Sequence, residues 1–462
     1  MRGPVPADVA APALDRRVPL VIRDACPSVH EPFAQVDGGL VRIRVPGGTL
    51  AGRHLRAVSE AASAYGTAVE ITSRANLQIR GVPNAAHRLL VRDLVAADVT
   101  LADAGADARR NVLASPTAGL DPSEISDTRS LVADVIETLV GAEGVPLSPK
   151  FGVLIDGGGA VHVRGRRQDI CLGAVRVRSG PSAYDVRLAQ PLLERSDNRP
   201  ICVVRPDNVA DLLGGILDLM AEHAEVGGRL SGLVALLGVD EALDQAAARR
   251  DVHLFRLAPA DVAFSAEPSL RPIGVLPQQQ AGLAMVGAMP VLGRLSAVQL
   301  EDIANMANDT CGRGDEAEVR LTPWRSVVIP NVPIDRAASV LRALEQMGLA
   351  IDQSDPALRV VACAGSTGCP SSFTDTQHDG SALIAALRAA SPTRPLTIHL
   401  SGCSKRCADS TTEFDVTLVG GPTPGVYEVV TRPGAVSHPA GGPLDAEGAM
   451  AHVLTIAGSD EP

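Results

Sequence analysis

The chain has 462 residues, 45% apolar and 21% charged, with a net charge of −11. This is enough sequence for several domains with substantial cores, and the acidic balance argues against a general nucleic-acid binder. No apolar run approaches the roughly 18 residues of a membrane span, and the opening MRGPVPADVAAPALDRR lacks the apolar stretch of a secretory leader. A flexible lead over 1–25, no membrane partner and a cytoplasmic location are the expectations. In that compartment eight cysteines read as thiols or metal ligands rather than disulfides. Of 42 basic residues only Lys150 and Lys405 are lysines, so each lysine is a rare choice.

In chain order, Leu40–Val45 alternates and reads as a strand. A helix follows with Leu55, Val58, Ala62 and Tyr65 on one stripe, ending at Gly66, a natural C-cap. Residues 70–83 read EITSRANLQIRGVP, and 111–114 and 151–155 read as strands. Residues 240–275 read as a helix plus linker. The pattern then repeats. Ser296-Ala-Val-Gln299 is a capping-box sequence ahead of a stripe at Leu300, Ile303 and Ala307. Residues 320–333 read RLTPWRSVVIPNVP, which places Thr322 opposite Thr72 and Val332-Pro333 opposite Val82-Pro83 at identical spacing. Strands at 360–363 and 396–400 match 111–114 and 151–155. Four corresponding pairs in one order indicate a duplicated β-α-β chain. A strand at 426–431 and a helix at 446–456 close it.

The chemistry concentrates in the second copy. ACAGSTGCP at 362–370 and SGCSKRCAD at 401–409 give C-x5-C and C-x3-C, 33 residues apart. Soft thiolates in two turns suit an iron–sulfur cluster. Gly365, Gly368 and Gly402 let backbone close around a bulky core, and N–H groups there would donate to sulfur. Cys363, Cys369, Cys403 and Cys407 are the candidate ligands. A structural zinc site is the first competitor, although zinc pairs are usually closer. A redox disulfide is the second. Cys26, Cys171, Cys202 and Cys311 stand alone and read as buried apolar residues. Gly157-Gly-Gly-Ala160 lacks the strand–turn–helix context of a dinucleotide site.

Cysteines so spaced on the second half of a duplicated β-α-β chain resemble the sulfite and nitrite reductase family. That resemblance implies an α+β fold, a duplicated reductase-like fold of two ferredoxin-like half-repeats (26–100 and 265–350) and two mixed α/β lobes (105–250 and 356–457). The first lobe would carry the basic substrate side and the second the cluster, with the active site in the cleft between them. Thr72-Ser-Arg74 looks like the family's threonine–arginine loop, Arg110-Asn-Val like its second arginine motif, and Pro149-Lys150-Phe151 like its lysine motif. Here Gly152 replaces the family's second catalytic lysine. The chain is similar in more detail to the precorrin-3B synthase branch: Cys26-Pro27, Asp37-Gly-Gly-Leu40 with Arg42 and Arg44, the string Arg74–Gly81, and Ser401-Gly-Cys403-x-Lys405-x-Cys407-Ala408. This branch implies oxygen-dependent hydroxylation of precorrin-3A with lactone formation in cobalamin biosynthesis. It also implies a 4Fe-4S cluster, a mononuclear non-haem iron, an external electron donor, and a tetrapyrrole substrate where the reductases keep sirohaem. A sirohaem-dependent sulfite or nitrite reductase is the alternative.

A precorrin is a polyanion of acetates and propionates, and guanidinium forks pair with carboxylates. Arg42, Arg44, Arg74 and Arg80 are the expected substrate contacts, with Asn76 and Gln78 adding neutral hydrogen bonds. Arg110 and Lys150 are the expected catalytic cations. Surface charge is the competing account for an Arg-rich chain. His399, four residues before Cys403, reads as a packed core residue or a neighbour of the iron chemistry.

Overall fold

The computed structural model describes residues 26–65, 68–178, 180–193, 199–264, 269–409, 413–432 and 442–458. The expected lead and the Gly66 cap lie outside them. The first half runs β1 (Phe33–Gln35), β2 (Gly38–Ile43), β3 (Thr49–Ala51), α1 (Gly52–Tyr65), β4 (Val69–Ile71), β5 (Leu77–Val82) and α2 (His87–Ala96). A first lobe follows: α3 (Ala104–Arg109), β6 (Val112–Ala114), α4 (Arg129–Gly141), β7 (Val153–Asp156), β8 (Ile170–Val177), β9 (Ala183–Leu188), β10 (Ile201–Val204), α5 (Val209–Glu222), α6 (Leu230–Leu237), α7 (Val239–Arg249), β11 (Phe255–Leu257) and β12 (Val262–Ala263). The second half repeats the first as β13 (Gly274–Pro277), β14 (Leu283–Ala288), β15 (Arg294–Leu295), α8 (Ala297–Cys311), β16 (Glu318–Leu321), β17 (Val327–Pro333) and α9 (Ile334–Gln346). The second lobe is β18 (Val360–Ala362), α10 (Thr376–Ala390), β19 (Ile398–Ser401), β20 (Val416–Gly420), β21 (Val426–Thr431), β22 (Leu444–Asp445) and α11 (Ala446–Gly458).

The duplication is visible in the hydrogen bonds of the two repeated turns. Thr72 Oγ1 accepts from the amides of Arg74 (3.3 Å) and Asn76 (3.1 Å). Thr322 Oγ1 accepts from Trp324 (3.2 Å) and Ser326 (3.3 Å). Both turns pass through a left-handed residue, Ala75 in one and Arg325 in the other. The capping box at Ser296 and Gln299 forms as the sequence pattern predicts.

The halves are interleaved. The first sheet is ordered β1-β2-β5-β4-β15 and the second β13-β14-β17-β16-β3, so each half lends a short strand to the other. Helix α1 packs on α8, and the residues of both sheets form one core that includes Val41, Ile79, Leu300 and Ile329. Each lobe then builds its own core on a mixed sheet. The edge of each lobe sheet is a parallel pair: β6 beside β7, and β18 beside β19. Parallel strands send their carboxyl ends to one side, where ligand loops collect. The cysteine turns leave β18 and β19 at that side.

Candidate functional site

Cys363 follows β18 and Cys403 follows β19, and the parallel register sets the two turns side by side. Gly365 takes φ 72°, which a side-chain-bearing residue rarely adopts, and the chain turns back so that Cys369 N donates to Gly365 O at 2.8 Å. Cys363 Sγ accepts from Gly402 N at 3.2 Å and lies 3.5 Å from Thr376 Oγ1. Lys405 Nζ reaches Ser371 Oγ at 3.1 Å and so bridges the two cysteine turns. Burial, then the proximity of Cys403, Cys369 and Cys363, holds the Cys407 thiol above its ordinary value. All eight cysteines are free thiols.

This arrangement fits a cubane, which gives each thiolate its own iron and draws amide donors to its sulfurs. Among the described residues no three His, Cys, Asp or Glu side chains converge on a point that would hold a single metal ion. The same finding leaves the expected mononuclear iron without a ligand set among those residues.

Facing the cysteines is the polar side of the first sheet. A cavity of about 260 Å³ lies between them, lined by Arg42, Glu70, Gln78, Arg80 and Arg325 on one side and by Cys363 and Cys407 on the other. Arg42 and Gln78 are directly paired across β2 and β5, and Gln78 opposes Glu70 across β5 and β4. Arg42 Nε, Arg44 Nη1 and Gln78 Oε1 are buried without a hydrogen-bond partner. Folded proteins rarely leave such groups unpaired, so together they point to a polar ligand. Burial is also the first cause that lowers Arg42, Arg44, Arg74, Arg166 and Arg325 from the ordinary arginine value. A guanidinium stays charged at neutral pH, so the shift marks desolvation that an anion would relieve. The volume is below the roughly 300–1,000 Å³ usual for organic ligands, and it suits the cluster and the rim of a ligand rather than a whole macrocycle.

The other expected residues divide into two groups. Arg74 stands in the Thr72 turn, and among the described residues its guanidinium has no hydrogen-bond or ion-pair partner. Arg44 Nη2 donates to Pro149 O at 3.2 Å, which ties the Lys150 turn to the end of β2. Three residues expected at the ligand are engaged by protein. Asn76 Oδ1 accepts from Val45 N at 2.8 Å. Arg110 is held by the fully buried Asp107 and by Val99 O. Arg80 is bonded to Asp37 and Gly368 O.

Residues 33–97 and 276–347 match the nitrite/sulfite reductase ferredoxin-like half domain. A ferredoxin–nitrite reductase of Synechococcus elongatus is 30% identical over 404 residues, covering 82% of this chain and 76% of the relative. A precorrin-3B synthase of Sinorhizobium is 29% identical over 417 residues, covering 87% and 81%. The structure of the Mycobacterium tuberculosis NirA protein superposes with a TM-score of 0.68 at 18% identity, over 90% of this chain and 79% of that one. The chain belongs to the nitrite and sulfite reductase superfamily. It is an oxidoreductase by that membership, built on the superfamily's α+β fold.

Within the superfamily fold, Arg325 at the site and Arg166 beside it escaped the sequence reading. Arg325 lines the cavity from the second-half turn. Arg166 Nη2 donates to Pro323 O at 3.3 Å in that same turn. Their only signal was position: Arg325 stands opposite Ala75 in the repeat. Cys26, read as an isolated apolar residue and within the Cys26-Pro27 resemblance, is half-buried beside Arg42, whose charge it favours. Cys171 and Cys202 are buried as expected. The Gly157–Ala160 run packs on carboxylates, with Gly158 N on Asp156 (3.0 Å) and Ala160 N on Asp121 (2.7 Å), so these donors are spent within the protein. No helix among the described residues is long and apolar enough to cross a membrane.

Proposed function

We propose that this chain is a precorrin-3B synthase: an oxygen-dependent monooxygenase of cobalamin biosynthesis that hydroxylates a ring carbon of precorrin-3A and closes an acetate to a lactone. The observation that carries the proposal is the facing pair of surfaces, Cys363 and Cys407 from the two cysteine turns opposite desolvated cations with unpaired donors. Cys363, Cys369, Cys403 and Cys407 would hold a 4Fe-4S cluster. When bound, that cluster supplies the one-electron transfer that amino-acid side chains lack. The electrons originate from an external donor and molecular oxygen is the co-substrate.

The chain's own residues bind and orient the substrate. Arg42 and Arg74 take substrate carboxylates, Gln78 offers a neutral contact, and Arg44 holds the Lys150 turn in place. Lys150 is assigned to the reaction face as a cation and proton donor. Arg110 acts through Asp107 to fix the start of β6.

The close similarity to a nitrite reductase keeps a sirohaem-dependent reductase as the second reading. Gly152 weighs against it. A Cβ at that position would stand 2.6 Å from Gln168 Oε1 and 2.7 Å from Asn111 Nδ2, so in this chain those two side chains occupy the space beside the backbone where the second lysine of multi-proton anion reduction would start. The deciding experiment is anaerobic purification, an absorption spectrum, and turnover of precorrin-3A with a reductant and labelled oxygen. A broad iron–sulfur spectrum without haem bands, and one labelled oxygen atom in the product, are expected. Sirohaem bands with nitrite or sulfite turnover would overturn the proposal.

A further inference from the structure

Two arginines on the ferredoxin-like sheets reach across the cavity and grip the cysteine turns. Arg80, on β5, donates through Nη2 to Gly368 O, the carbonyl just before Cys369, while its Nε is held by Asp37 Oδ2 at 2.9 Å. The guanidinium lies flat on the glycine: a Cβ at residue 368 would stand 2.6 Å from Arg80 Nη2. Arg325, in the β16–β17 turn at φ 65°, donates through Nη2 to Ala408 O at 2.6 Å, the carbonyl just after Cys407. A non-glycine residue rarely takes that backbone, and here it aims the side chain along Gly293 toward the second cysteine turn.

We propose that Arg80 and Arg325 are positioning residues for the iron–sulfur cluster, each fixing one cysteine turn through a main-chain carbonyl, and that Arg325 in addition sets the cluster's potential with its charge. The inference rests on the assignment of the four cysteines to a cluster. The two arginines differ in how their charge is answered. Arg80 faces Asp37 at 2.9 Å and Glu70 at 3.9 Å, so its charge is largely cancelled locally and geometry is what it contributes. Arg325 rests on a neutral carbonyl, with Glu70, Asp409 and Arg166 as its wider charged surroundings. Reduction adds one negative charge to a cluster, and a fixed cation beside it favours the reduced form.

The test uses anaerobically reconstituted full-length protein and the variants Arg325→Gln, Arg325→Lys and Arg80→Gln. Iron per chain is measured first, then the midpoint by EPR-monitored redox titration, then iron release to a chelator. Arg325→Gln should retain full iron and show a roughly tenfold lower reduced-to-oxidised ratio at fixed ambient potential, about 59 mV for one electron. Arg325→Lys, which keeps the charge, should shift less. Arg80→Gln should leave the midpoint near the wild-type value and release iron about tenfold faster. In cluster-free protein it should also speed hydrogen exchange of the Cys369 amide. A wild-type midpoint in Arg325→Gln, or equal shifts in Gln and Lys, overturns the charge role. Unchanged iron release and exchange in Arg80→Gln overturns the positioning role. Wild-type protein that takes up no cluster defeats the underlying assignment, and that failure is visible before any substitution is made.

Discussion

Replacing Arg74 by alanine separates binding from folding. The guanidinium has no described intramolecular partner, so truncation breaks no bond within the protein and removes a charge that burial disfavours; stability should not fall. The backbone amide that anchors the turn on Thr72 Oγ1 remains. A charge-assisted hydrogen bond to a substrate carboxylate is worth about 1.5–3 kcal/mol. At 1.4 kcal/mol per tenfold, affinity for the tetrapyrrole should fall about 10- to 100-fold. The assay is a calorimetric or fluorescence titration of anaerobic protein with precorrin-3A, beside a thermal melt of the same sample. Unchanged affinity, or a loss matched by a lower melting temperature, would remove Arg74 from the substrate site.

Cys403→Ser should lower bound iron and abolish turnover, read by iron analysis and the visible spectrum; full iron with normal activity would defeat the cluster assignment. Arg110→Ala should cost about 3–5 kcal/mol of stability in denaturant titration, because it strands the fully buried Asp107 carboxylate without its partner. Gly152→Ala should cost about 1–3 kcal/mol by overpacking, since the new methyl meets Gln168 and Asn111 at under 3 Å; a neutral result would reopen that position to a lysine. Glu124 is pushed up to about 7 by burial, against the pull of its bond from Gly119 N, with Asp127 and Asp121 adding to the rise and Arg129 opposing it. The folded state therefore holds this proton more tightly than the unfolded chain. Stability should fall as pH rises from about 4.5 to about 7, and Glu124→Gln should flatten that part of the profile.

The elements were legible where the pattern is local. The 70–83 and 320–333 segments share threonine-anchored turns, and the two parallel lobe pairs follow short apolar runs. The exchange of β3 and β15 was not legible. Strands of three and two residues carry almost no periodic signal, and β3 pairs with β16 more than 260 residues away in sequence. At the site, residue type pointed to cations but could not say what they hold. A guanidinium satisfies a substrate carboxylate, Asp107 or a cysteine-turn carbonyl with the same donors. Arg74, Arg110 and Arg80 look alike in sequence and differ only in which of these the fold brings near.

The duplication also explains why the site occurs once. Register places Arg42, Gln78, Glu70 and Arg294 in one row across the first sheet, and Gly287, Val328, Arg320 and Thr49 in the matching row across the second. In the first row the charges face the cysteine lobe and leave a polar cavity. In the second, Val328 packs with Leu120 and Met285. Beside it Arg320 donates to Pro116 O (3.0 Å) and Ala118 O (2.7 Å). The loop that would bound a second site instead fills it with Leu120 and gives its carbonyls to the strand's own cation, Arg320. The exchange of one arginine–glutamine row for a glycine–valine row thus turns one copy of the same scaffold into a ligand surface and the other into core. These few positions, together with the cysteine turns of the second lobe, place the chemistry on one side of the duplicated ferredoxin-like pair.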